Sequence, residues 1–150
     1  MKPIIYQQLE KEIVSYLTPL KKLYENQLFD FKVETIWDFS AIEVTGYCKD
    51  SYRPEEKMDF ILLRVLINYT DEQVYIPNIF LQPFMRYSGL GKKLIYEIFQ
   101  VTEKEGYGLF ITDMVPSFYN KMLNRGALPC NEADDVVMIT RETKLIDNII

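Results

Sequence analysis

A β-branched apolar run, Val74 to Leu81, is followed across a short join by the amphipathic stripe Leu94, Ile95, Ile98, Phe99 and Val101, and the join contains Gly89-x-Gly91. This arrangement constrains the fold more than any other part of the chain. Glycines at a strand-to-helix junction let the backbone turn tightly and approach a ligand closely. The first helical turn also directs free N–H groups and the positive end of the helix dipole outward. The helix ends near Gly106 and Gly108, and the short apolar run Leu109-Phe110-Ile111-Thr112 comes next, as expected of a strand buried on both faces. Strand, helix and buried strand in that order read as a parallel crossover.

The flanking segments extend this unit. From Tyr6 to Gln27 the residues Leu9, Ile13, Tyr16, Leu17, Leu20, Leu23 and Tyr24 recur at helical spacing, and Thr18-Pro19 reads as an N-cap and first helical position, predicting two helices with a break between them. Ala41 to Cys48, Phe60 to Tyr69 and Val74 to Leu81 are rich in β-branched and aromatic residues and read as three strands. The short polar junction from Tyr69 to Gln73 favours an antiparallel hairpin, while Lys49 to Lys57 is a longer charged loop. Pro116-Ser117 opens a further helix through Leu123, closed by Asn124-Arg125-Gly126. Ala127 to Cys130 and Val136 to Thr140 follow as strands around an acidic turn, Asn131 to Asp135. The expected order is two helices, three strands, helix, strand, helix and two strands. That order predicts an α/β (α+β) fold with a mixed, mostly antiparallel twisted sheet and helices on both faces. With 150 residues, nearly half of them apolar, and no internal repeat or linker, the expectation is a single domain, 1–150.

Charge and residue usage exclude several functions. A net charge of −5 without a long basic run argues against nucleic acid as a partner and makes an amine or other cation the more natural guest. The chain has no histidine, which removes Ser-His-Asp and Cys-His catalysis. Cys48 and Cys130 are far apart and cannot complete a zinc tetrahedron, so they read as reduced, packed thiols and no metal is expected. The opening MKPIIYQQLEKE becomes charged before an apolar signal region can form, and no apolar run is long enough to span a membrane. The expectation is a cytoplasmic protein with no membrane partner.

The join itself narrows the ligand. Its spacing is wrong for a P-loop, and the Gly-x-Gly-x-x-Gly dinucleotide fingerprint is absent, so ATP and NAD are poor candidates. The pattern Leu81-x-Pro83-x-x-Arg86-x-x-Gly89-x-Gly91 resembles the acetyl-CoA signature of the Gcn5-related N-acetyltransferase (GNAT) superfamily. Phe118-Tyr119-Asn120-Lys121 through Gly126-Ala127 is similar to that family's motif in the last helix, with extra residues before Gly126 and Ala127 in place of an aromatic. The resemblance extends over roughly residues 4 to 140 and implies a first strand near Pro3 to Tyr6. It also implies acetyl-CoA as cosubstrate, its pyrophosphate held by Arg86, Tyr87, Ser88, Gly89, Leu90 and Gly91 with Lys92 nearby, and its pantetheine along Ile79, Phe80 and Leu81. Tyr87 stands where many members carry glycine, which is harmless if its φ is negative.

Acetyl transfer to an amine needs a neutral nucleophile, a stabilised oxyanion and a proton for the departing thiolate. The resemblance gives the proton to Tyr119 and the oxyanion to a backbone N–H near Leu81, with Phe118 read as core. The strand before the join lacks the family's glutamate and offers Tyr75, Asn78 and Gln82 instead. Glu43, Asp59 and Asp113, on or near neighbouring strands, are the candidate carboxylates for an amine pocket. The expected function is an N-acetyltransferase acting on a primary amine of a small molecule or protein. The alternative is a CoA-binding or protein-interaction module that has lost its acid–base groups. A toxin acting on charged tRNA is a weaker third reading, since no basic surface is evident. Edge strands and many aromatics leave room for a homodimer.

Overall fold

The computed structural model describes residues 2–50 and 52–146. Its elements are α1 (Ile4–Leu23), β1 (Asp30–Ile36), β2 (Ala41–Lys49), β3 (Lys57–Asn68), β4 (Gln73–Ile79), α2 (Leu90–Lys104), β5 (Gly108–Ile111), α3 (Pro116–Asn124), β6 (Leu128–Pro129) and β7 (Val137–Ile139). The strands form one sheet in the order β1-β2-β3-β4-β5-β7-β6. The β4–β5 pair is parallel and bridged by α2, and the other described pairings are antiparallel. The fold is therefore the expected mixed, mostly antiparallel sheet with helices, and the crossover lies where the join requires it. Among the described residues, no helix is long and apolar enough to cross a membrane.

The N-terminal third differs from the sequence reading in three ways. No break occurs at Thr18-Pro19, because α1 runs through it. An interior proline costs about 3 kcal/mol. Leu17 and Leu20 on either side are 1% and 7% exposed, and burying each contributes about 1.5–3 kcal/mol, so unwinding this turn would cost more than keeping it. The first strand does not lie at Pro3 to Tyr6. Pro3 caps α1, and Ile5 and Tyr6 are buried in its first turns. An additional strand, β1, follows the helix and pairs with β2 from Asp30↔Tyr47 to Ile36↔Ala41. Near the C-terminus, the strand expected over Ala127 to Cys130 shortens to Leu128–Pro129.

The core occupies the face of the sheet on which α1 and α2 pack together. Ile42, Val44, Leu63, Val65, Val74 and Ile76 meet Leu9, Ile13 and Leu17 of α1 and Leu94, Ile95 and Ile98 of α2, all at most 1% exposed. Register accounts for the opposite face. Glu43 is across from Arg64, and Tyr75 is across from both Leu66 and Phe110, so these alternate residues point away from the core and remain partly exposed.

Two features of β4 prepare the site. Between Arg64 and Leu66 the β3–β4 register slips, so that two steps along β3 match three along β4, from Tyr75 to Asn78. This is a β-bulge at Ile76-Pro77, and bulges bend and twist the strand that carries them. Pairing with β5 also stops there, at Ile76↔Ile111, and the Thr112 N–H donates to the Ile76 carbonyl as the last link. Proline has no N–H to continue a ladder. Beyond Pro77, β4 stays on β3, with Asn78↔Arg64 and Ile79↔Leu63, while its other edge parts from β5.

Candidate functional site

After β4 the chain forms a short 3-10 turn, Pro83–Met85, anchored by the fully buried Met85. Side chains tie the next residues back onto the turn. Arg86 Nε donates to the Leu81 carbonyl at 2.9 Å, and Ser88 Oγ donates to the Met85 carbonyl at 3.0 Å. Tyr87 and Gly89 both lie in the left-handed region, at φ 65° and 76°. The condition that Tyr87 have a negative φ is not met. Its side chain is fully exposed, so no packing offsets a conformation that costs a non-glycine residue about 1–2 kcal/mol. Gly89 then serves as the N-cap of α2 without any side-chain cap bond.

The start of α2 is electrostatically unusual. Helix first turns favour carboxylates, yet this one contains no acidic residue and carries Lys92 and Lys93 against its own dipole. The first turn is fixed from α1, where the Tyr16 hydroxyl donates to the Leu90 carbonyl at 2.8 Å. Burial, followed by the nearby Glu97 and Tyr24, pushes the Tyr16 phenol up to about 12, which keeps the donor proton in place.

A cleft of about 730 Å³ opens beside this turn. One wall is the parted end of β4, Ile79 to Leu81. The second is the turn and first residues of α2, and the third is the start and exposed face of α3. Nine of the ten residues expected to hold the cofactor line it: Ile79, Phe80, Leu81, Arg86, Tyr87, Gly89, Leu90, Gly91 and Lys92. Ser88 does not, its hydroxyl being occupied with Met85. Among the described residues, the cations Arg86, Lys92, Lys121 and Arg125 lie on the lining and no carboxylate does. In a chain of net charge −5, the described lining of the cleft is thus rich in cationic side chains, which suits the phosphates of a cofactor and leaves the amine expected as acceptor to be placed separately. The Arg86 guanidinium also lies 5.5 Å from the Phe80 ring centroid, so that side chain spans polar rim and apolar wall.

The candidate proton-transfer groups are placed elsewhere. Tyr119 is 5% exposed and lies outside the cleft lining, its hydroxyl 3.3 Å from Asp134 Oδ1. Burial, followed by the Asp134 carboxylate, raises its phenol above the usual value. Phe118, expected in the core, is half-buried against it and also lines the cleft. Glu43 accepts from Arg64 Nε at 2.9 Å and Nη2 at 2.6 Å on the sheet face away from the core. Asp59 is exposed on β3, and Asp113 is exposed after β5 at φ 54°. None of the three lines the cleft. Among the described residues, no cluster of three or more His, Cys, Asp or Glu side chains is arranged to hold a metal ion.

Lys121 and Arg125, together with Ser117 and Phe118, line the cleft and were not picked out by motif reading. The signal lay in helical phase. Phe118, Lys121 and Arg125 fall at i, i+3 and i+7 on one face of α3, while Tyr119 and Met122 fall on the buried face.

No protein-family model matches the chain, and no curated protein matches it at a significant level. Among solved structures, one similar chain is described as a "putative acetyltransferase from Agrobacterium tumefaciens", at 15% identity over 86% of each chain with a TM-score of 0.38. A likeness that distant transfers neither family nor activity to this protein.

Proposed function

We propose that this chain is a single acetyltransferase domain of the Gcn5-related type that binds acetyl-CoA in the cleft between β4, α2 and α3 and transfers the acetyl group to a primary amine. The observation that carries the reading is the pairing of an acid-free helix N-terminus with a lining that, among the described residues, carries cationic side chains and no carboxylate. A ligand with a pyrophosphate and an apolar arm complements both halves of that cleft. Its phosphates take the amides of the turn from Tyr87 to Gly91 and the charges of Arg86, Lys92, Lys121 and Arg125. Its pantetheine follows Ile79, Phe80 and Leu81, where β4 has parted from β5.

In the reaction the neutral amine nitrogen attacks the thioester carbonyl, the C–N bond forms, the C–S bond breaks, the thiolate takes a proton from its donor, and the nitrogen releases one to water, which restores the donor. A strand N–H near Leu81 stabilises the oxyanion, and Tyr119 is the proton donor by its motif position. The acceptor is a small-molecule or protein amine, and Glu43, Asp59 and Asp113 remain the carboxylates proposed for it.

One observation favours a second reading, a CoA-binding module without turnover. The Tyr119 hydroxyl is engaged by Asp134, and no carboxylate among the described residues lines the cleft. Calorimetric titration with acetyl-CoA followed by a thiol-release assay over a panel of amines separates the readings. Binding with turnover supports acetyl transfer, whereas binding without turnover on small amines and peptides supports the module. Absence of binding removes both.

A further inference from the structure

The two sheet edges are unlike. At one end, β6 has two residues, one of them Pro129, and cannot template another strand. At the other end, β1 is seven residues long, pairs with β2 on one side only, and no strand of the described chain covers its outer side. A groove of about 850 Å³ runs beside it, lined by Val33 of β1 and by Lys11, Val14, Ser15, Thr18 and Pro19 of α1.

We propose that this edge is the contact of a two-fold homodimer in which β1 pairs antiparallel with β1 of a second copy, centred on Val33. Charge order selects the occupant. In Asp30-Phe31-Lys32-Val33-Glu34-Thr35-Ile36 the two charges flanking Val33 are opposite in sign, and both project from the face away from the core. Two-fold pairing about Val33 sets Lys32 of each copy across from Glu34 of the other, two opposite-charge cross-strand pairs at once. Lys32 and Glu34 are 61% and 46% exposed at their side chains and only 3.7 Å apart within the chain, so the dimer extends an existing pair into four alternating charges. On the core-side face the same pairing sets Phe31 across from Thr35 of the copy.

A strand pair alone is smaller than a stable interface, which buries about 1,200 Å² or more. The geometry supplies the remainder from α1. A two-fold axis perpendicular to the sheet keeps both copies of α1 on the same face. It brings their groove-lining flanks together, where Val14 is 37% exposed and Ser15 and Thr18 are small enough for close approach. The result is one continuous sheet through both copies with paired helices above it.

Sedimentation equilibrium over a concentration series reads the assembly, with a species of twice 17.8 kDa as the expected result. Lys32→Glu or Glu34→Lys places like charges opposite one another and weakens the dimer at least tenfold. The double reversal Lys32→Glu/Glu34→Lys restores it, because the register again opposes unlike charges. In a Cys130→Ser background, Val33→Cys forms an interchain disulfide on mild oxidation, since the axis brings residue 33 within bridging distance of its own copy. A wild-type chain that stays monomeric at all concentrations overturns the proposal, as it would if this edge served a strand of another protein. A dimer indifferent to both single reversals also overturns it, by showing that the copies meet elsewhere. Both readouts are independent of CoA.

Discussion

The turn before α2 and the exposed face of α3 border the same cleft but depend on different parts of the chain. The turn presents main-chain groups, set by φ values at Tyr87 and Gly89 and by three side-chain ties to backbone carbonyls, from Tyr16, Arg86 and Ser88. The chemistry proposed for α3 depends on one phenol, and helical phase turns that phenol toward Asp134 and the core while Phe118 and Lys121 face the cleft. A backbone cradle survives changes of side chain, but a side-chain catalyst is moved by a single step of helical phase. The proposed binding and proton transfer are therefore separable, and each can be perturbed while the other is watched.

The largest expected effect lies on the α3 side. If Tyr119 protonates the thiolate, Tyr119→Phe lowers kcat about 100-fold, the scale of a positioned general acid, and leaves acetyl-CoA affinity within twofold. Stopped assays of thiol release beside calorimetry measure the two together. Unchanged kcat removes Tyr119 from the chemistry and leaves its bond to Asp134 as a fastening for the Asn131 to Asp135 turn. A loss of affinity equal to the loss of rate would mean that α3 had shifted, and the comparison between the two regions would no longer hold.

Two substitutions in the turn come next, with opposite signs. A Cβ at Gly89 would meet no protein atom within 4 Å, so the protein itself offers no clash. The cost of Gly89→Val is a β-branched residue at φ 76°, together with a side chain standing in the space beside the N-terminus of α2. The expected loss is about 10- to 30-fold in acetyl-CoA affinity, equivalent to about 1.4–2 kcal/mol, with kcat at saturation unchanged. Tyr87→Gly works the other way, relieving about 1 kcal/mol of backbone strain at a side chain that packs on nothing. Thermal melting should show Tyr87→Gly raised and Gly89→Val lowered. A Gly89→Val protein with native affinity would place the phosphates away from this turn.

The sequence reading succeeded where periodicity and turn chemistry agree. Gly89-x-Gly91 between a strand and a stripe of apolar residues allows few geometries, and β2 through α2, with β5, appear within a few residues of expectation. It failed where tertiary packing outweighs a local signal. Pro19 reads as a helix boundary, yet buried Leu17 and Leu20 carry α1 past it. Strand β1 alternates with period two, but its charged outer residues resemble a solvated loop when no partner strand is in view. The cleft-lining cations Lys121 and Arg125 went unread for a different reason. The Phe-Tyr-x-Lys motif drew attention to Tyr119, whereas the phase of Phe118, Lys121 and Arg125 marks the face that meets the cleft.

The smallest expected effect concerns how α1 holds that turn in place. Beside the Tyr16–Leu90 tie, burial raises the Glu97 carboxyl above its usual value, followed by a hydrogen bond and charge repulsion from Glu12 across the α1–α2 seam. A carboxyl with a higher folded than unfolded value binds its proton more tightly when folded. It therefore takes stability away as pH rises from the unfolded value, near 4.5, through the folded one. Glu97→Gln removes the titration and the charge repulsion with Glu12, so its urea midpoint should exceed that of the wild type at pH 7.5 and approach it at pH 4. Because Glu97 is next to Tyr16, hydrogen exchange across Arg86 to Leu94 should slow in the same variant at pH 7.5. A midpoint difference that is the same at both pH values would assign the gain to packing. Exchange in the turn that does not follow the seam would make the cradle independent of α1, leaving its order to the ties made by Arg86 and Ser88 alone.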